Sequence, residues 1–158
     1  MKEVKQILVV SRSTQYCRFA VESGIFLARR FGAELSVMHL VSNPVEQEAV
    51  NAPDLFMSYH IPNTSIEEFL SIREEAKKRI DQIISNETQG GIPIKTMVKD
   101  GKPTDEVLKA VKEGEIDLLV MLAHKEGHLE HLLFGGDNDA IIRRIPCSIM
   151  LVKKEPGP

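Results

Sequence analysis

Ile7-Leu8-Val9-Val10 is apolar at every position, and this unbroken run constrains the fold more than any other feature of the chain. A strand with one wet face alternates apolar and polar residues, whereas a continuous apolar run belongs to a strand covered on both faces. Leu118 to Leu122 and Ile149 to Val152 repeat the pattern, Leu35 to Val41 reads as a further strand broken by Ser36 and His39, and Ile92 to Val98 is a more polar version of it. Pro93, Lys95 and Thr96 place that last strand at a sheet edge.

Amphipathic stretches separate these runs. Cys17, Ala20, Val21, Gly24, Leu27, Ala28 and Phe31 recur at helical spacing, and Arg29, Arg30 and Gly32 close that helix. Thr64 or Ser65 caps a second helix, with Glu67 and Glu68 in its first turn and an apolar face of Ile66, Phe69, Ala76, Ile80, Ile83 and Ile84. Thr104 is the expected cap of a third helix carrying Val107, Leu108 and Val111 and stopping near Gly114; Asp137 to Arg144 forms a short fourth, ended by Pro146. Five alternations of strand and helix define an α/β protein with an open parallel sheet and helices on both faces. In such folds ligands bind beyond the carboxyl ends of the strands, which singles out Ser11-Arg12-Ser13 and Leu122-Ala123-His124-Lys125.

Composition narrows the function classes. The 158 residues suffice for one domain, 1–158, interrupted by a long aperiodic loop at 43–63 that carries Phe56, Met57 and Tyr59 between three prolines. Twenty Lys and Arg against twenty-three Asp and Glu leave a net charge of −3, which argues against a nucleic-acid partner. No apolar run approaches the ~20 residues of a membrane helix, so no membrane partner is expected. Two cysteines, Cys17 and Cys147, make no disulfide framework, and the expected location is the reducing cytoplasm.

The chain resembles the universal stress protein family. The residues that carry the resemblance are Ala28-Arg29-Arg30-Phe31-Gly32-Ala33-Glu34-Leu35, His39, Val98-Lys99-Asp100-Gly101-Lys102-Pro103, Asp117-Leu118-Leu119-Val120-Met121, the segment His124 to Gly136, and Ile145-Pro146-Cys147-Ser148-Ile149-Met150-Leu151-Val152. The resemblance implies a Rossmann-like, adenine nucleotide alpha hydrolase-like sheet of order 3-2-1-4-5. It also implies a homodimer in which the last strands, Ile149, Met150, Leu151 and Val152, pair across the interface, and a regulatory stress-response role without catalysis. An unidentified protein partner is compatible with that role.

Many members bind ATP through G-x-x-G, nine residues, then G-[S/T], with an Asp after the first strand. Glycines there let backbone approach phosphates, and the final pair opens a helix whose free N–H groups bind anions. Here Leu122 and Lys125 stand at the two first glycines, Gly135 keeps the third, Gly136 replaces the hydroxyl residue, and Arg12 stands for the Asp. No Mg-ATP motif is intact, and Asp137 and Asp139 in the next helix's first turn compete with a phosphate for its dipole. The cofactor-binding candidates by this resemblance are Val10, Ser11, Arg12, Leu40, Leu122, Lys125, Gly135 and Gly136. ATP or another adenine nucleotide stays an open alternative, because Arg12 and Lys125 can hold a phosphate without a metal and Gly135-Gly136 can form an anion nest.

Other residues point less far. His124, His128 and His131 would share a helical face and could ligate a metal, but Gly127 and the preceding strand end oppose a continuous helix. Cys17 reads as a small core residue and Cys147 lacks a neighbour to activate it. Ser11 and Ser13 lie in no nucleophile elbow, and His39 reads as a hydrogen-bonded structural histidine. An enzyme, whether a slow ATPase or a phosphotransfer receiver, is the weakest reading: a receiver would need clustered carboxylates after the first strand, and Ser11-Arg12 stands there.

Overall fold

The computed structural model describes residues 2–11, 17–41, 66–88, 91–123 and 137–153. Strand β1 (Gln6–Ser11) leads into helix α1 (Cys17–Phe31) and strand β2 (Glu34–Val41). Helix α2 (Ile66–Thr88), β3 (Ile94–Asp100), α3 (Pro103–Glu113), β4 (Leu118–Ala123), α4 (Asp137–Arg144) and β5 (Ser148–Lys153) follow. The five strands form one sheet in the order β3-β2-β1-β4-β5, and every pairing is parallel.

The apolar run of β1 now has its explanation. Ile7 and Val9 point into a core shared with Ala20, Val21 and Ile25 of α1 and Ile80 of α2. Leu8 and Val10 point the opposite way, into a second core with Val107 and Val111 of α3 and Ile141 of α4. Alternation in direction makes both faces of the central strand apolar. Gly24, in the middle of α1, is what lets that helix sit so close: a Cβ there would run into Val9 Cγ2.

Several boundaries differ from expectation. β3 runs from Ile94 to Asp100, two residues later than Ile92 to Val98, because its register pairs Val41 with Asp100. Thr104 is not a cap. Lys102 is the N-cap residue of α3, in extended conformation and with no side-chain cap bond, and Pro103 at the helix start fixes a φ already suited to helix. Phe31, expected on the buried face of α1, is 47% exposed. Gly32 ends α1 at φ +65°, as its position implies. The 43–63 loop and the caps Thr64 and Ser65 lie outside the described residues.

The N-terminal end of the sheet is clamped by Asp117. Its Oδ2 accepts the backbone N–H of Lys5 at 2.9 Å and of Gln6 at 3.0 Å, and Oδ1 lies 3.2 Å from Lys2 Nζ. These bonds hold the Asp117 carboxyl below its ordinary pKa, the Lys5 amide contributing most.

Candidate functional site

The carboxyl ends of β2, β1 and β4 lie side by side, at the place where doubly wound sheets take ligands. Four of the eight candidate residues fall there among the described residues: Val10 and Ser11 on β1, Leu40 on β2 and Leu122 on β4. Arg12, Lys125, Gly135 and Gly136 lie outside the described residues, as do Ser13, His124, His128 and His131. Among the described residues no cluster of His, Cys, Asp or Glu could hold a metal ion.

The four do not share one face. Val10 and Leu40 are buried in the core on the α3–α4 side, packed with Met38 and Met121. Ser11 is one residue past Val10 and so faces the α1–α2 side. Leu122, paired with Val152, follows Met121 and also faces that side, where Val152 packs. Leu122 is half-buried and sits inside β4, whose pairing with β5 continues through Ala123 and Lys153. Extended, paired strand therefore carries the Leu122 side chain at the carboxyl end of β4.

One contact at this end depends on strand register rather than on local pattern. In the register of β1 and β2, Gln6 stands opposite Glu34 and Ser11 opposite His39. His39 Nδ1 lies 3.2 Å from Ser11 Oγ. Ser11 is 3% exposed and His39 4%, the deepest polar pair described in the molecule. Burial penalises the charged imidazole and lowers the pKa of His39 from its ordinary 6.5. The structural role expected for His39 stands, and its partner is the serine at the end of the central strand. A sequence signal existed, since each polar residue lies five positions after the start of its own strand, but it needed the strand register to be read.

Cys147, half-buried beside β4, has its thiol pKa raised, chiefly by burial, which works against thiolate formation. Arg73 of α2 reaches the other margin of this end: its Nη2 donates to the Val98 carbonyl at 3.0 Å and its Nη1 lies 3.3 Å from Asp100 Oδ1.

An open parallel sheet, covered on both faces and with its candidate site at the strand ends, places the chain among the doubly wound α/β proteins. Its relatives narrow the class. The universal stress protein family model matches residues 3–153, and the chain belongs to that family. Universal stress protein MJ0531 of Methanocaldococcus jannaschii is 22% identical over 152 residues, covering 95% of this chain and 82% of that protein. Universal stress protein E of Salmonella typhi is 24% identical over all of this chain, which spans only 48% of that longer relative.

Among solved structures, universal stress protein UspA from Lactobacillus plantarum matches with a TM-score of 0.71 at 21% identity, over 96% of this chain and 99% of that one. A universal stress protein in complex with cAMP matches at 0.59 and 17% identity over 96% and 98% of the two chains. One from Archaeoglobus fulgidus in complex with dAMP matches at 0.58 and 15% identity over 97% and 100%. These likenesses establish the sheet and its strand order. No helix among the described residues is long and apolar enough to cross a membrane.

Proposed function

We propose that this chain is a regulatory, non-catalytic universal stress protein of the cytoplasm that works as a homodimer and does not depend on strong Mg-ATP binding. The observation that carries the reading is Leu122. It lies in paired strand where nucleotide-binding members use glycine, so a side chain stands where backbone would meet the ligand. Arg12 in place of the metal-facing Asp and the acidic first turn of α4 support the same reading.

The proposed dimer joins β5 of two protomers through Ile149, Met150, Leu151 and Val152. Met150 is 39% exposed and Leu151 46%, and β5 is an edge strand with no described element beyond it. A second copy would cover both its apolar side chains and its unpaired backbone. A protein partner would then read the outer surface of this dimer.

A second reading has its own support, in the family structures solved with cAMP and dAMP. In it an adenine nucleotide binds without magnesium, its phosphate held by Arg12, Lys125, Gly135 and Gly136, with Val10, Ser11 and Leu40 beneath it, and acts as a switch. Native mass spectrometry of freshly purified protein, followed by titration with ATP, ADP and AMP with and without Mg²⁺, separates the two readings. A dimer that ignores all three supports the first; a stoichiometric nucleotide that is lost in Arg12→Ala supports the second.

A further inference from the structure

We propose that the Ser11–His39 pair is an acid-operated latch: the neutral imidazole holds the carboxyl ends of β1 and β2 together beneath the helices, and a proton on it releases them. The argument starts from the row in which the pair sits. On the α1–α2 face Ser11 stands opposite His39, His39 opposite Val98, and Leu122 opposite Val152. Continuing the β1–β4 register one step beyond Val10 and Met121 brings Leu122 beside Ser11. The two polar side chains thus form the middle of a row otherwise made of Val98, Leu122 and Val152.

The neutral pair is matched at its shared contact. In the Nε2–H tautomer Nδ1 accepts the Ser11 hydroxyl proton; a second proton makes Nδ1 a donor, forces the serine to accept, and leaves a charge in a buried row. Nothing described neutralises that charge. From β3 the carboxylate on the same face is Asp100, two residues beyond Val98, and Arg73 of α2 already engages it. From α1 the charged pair Arg18–Glu22 bonds to itself at an exposed position. Farther along α2, Asp81 is taken by Lys77 and by the Thr96 hydroxyl. Among the described residues no carboxylate pairs with His39, and an unpaired buried imidazolium favours whatever conformation lets water reach it. The released segment is the end of β1 and β2, next to Val10 and Leu40, and the inference holds whether or not a nucleotide binds there.

The test uses the whole protein between about pH 7.5 and pH 5. Labelled-histidine NMR follows His39, assigned by the resonance missing from His39→Gln. Hydrogen exchange, corrected for its intrinsic pH dependence, follows peptides spanning residues 6–11 and 34–41, with 103–113 as the internal reference. The expected result is a His39 midpoint below 6.5 together with a roughly tenfold loss of protection in the two strand-end peptides at that same midpoint, and none in the reference. His39→Gln, which keeps a hydrogen-bonding side chain without a titrating proton, should abolish the pH dependence. A midpoint at or above 6.5, protection that ignores the titration, or an undiminished acid effect in His39→Gln overturns the latch. If His39→Gln does not fold, the coincidence or mismatch of the two wild-type midpoints decides, with the resonance assigned through Ser11→Ala.

Discussion

Arg73 of α2 donates to the main-chain carbonyl of Val98, so the edge strand β3 has one of its backbone acceptors tied up by its own helix. The same guanidinium pairs with Asp100 at the end of that strand, and Lys95 and Lys99 stand exposed along it. Charges and a plugged backbone are what discourage strand addition at an edge. At the opposite edge β5 presents Met150 and Leu151 to solvent. Among the described residues the sheet is therefore asymmetric, with charge and a tied-up acceptor at one edge and exposed apolar side chains at the other.

That asymmetry predicts where association fails. If the proposed dimer forms through β5, Leu151→Lys should give a monomer on analytical ultracentrifugation, because it places a charge at the centre of the proposed seam. Arg73→Ala should lower stability but leave the dimer intact. A Leu151→Lys protein that still sediments as a dimer would move the interface away from β5.

Gly24 predicts a steric penalty. Its missing side chain is the space occupied by Val9 Cγ2, a branched group that cannot swing away, and Leu35 Cδ1 stands 3.3 Å from the same point. Gly24→Ala should therefore cost about 1–3 kcal/mol in urea unfolding, although alanine is the better helix former by ~1 kcal/mol. A neutral or stabilising result would mean that α1 can rise off the sheet freely.

Asp117 predicts an acid limit to stability. Its carboxyl titrates below the ordinary 3.8 because the Lys5 amide, the Gln6 amide and Lys2 favour the ionised form. The unfolded chain takes up the proton first on acidification. The contribution is thus complete above the ordinary value and is lost as the pH falls through the lowered folded one. Asp117→Asn should remove this part of the pH dependence, leaving a shallower acid limb in thermal melts below about pH 4. An acid limb unchanged from wild type would assign it to other carboxylates.

Much of the fold could be read from local pattern. Buried parallel strands write themselves as unbroken apolar runs, and Asp137 to Arg144 lies where Pro146 and the helical spacing place it. The errors have physical causes. β3 extends later than its apolar pattern indicates because its last residues, Lys99 and Asp100, are polar and owe their strand character to pairing with Leu40 and Val41. Thr104 looked like a cap because hydroxyls usually cap, but Pro103 had already set the helical φ and left Thr104 buried inside the helix. Phe31 matched the helical period, yet it sits in the last turn and stands 47% exposed. The Ser11–His39 pair is legible only with the register of two strands in hand, since its members lie 28 residues apart. Of the candidate site, the place of Leu122 on the fourth strand is legible in the apolar run, while the opposed directions of Val10 and Leu122 come only from the sheet.

The central claim is that Leu122 closes the place where a nucleotide's phosphates would meet backbone. Calorimetric titration of the purified protein with Mg-ATP, beside a Leu122→Gly variant, tests it most directly. The account predicts no strong binding by the wild-type chain and a measurable gain in the variant. Tight, stoichiometric Mg-ATP binding by the unaltered protein would contradict it.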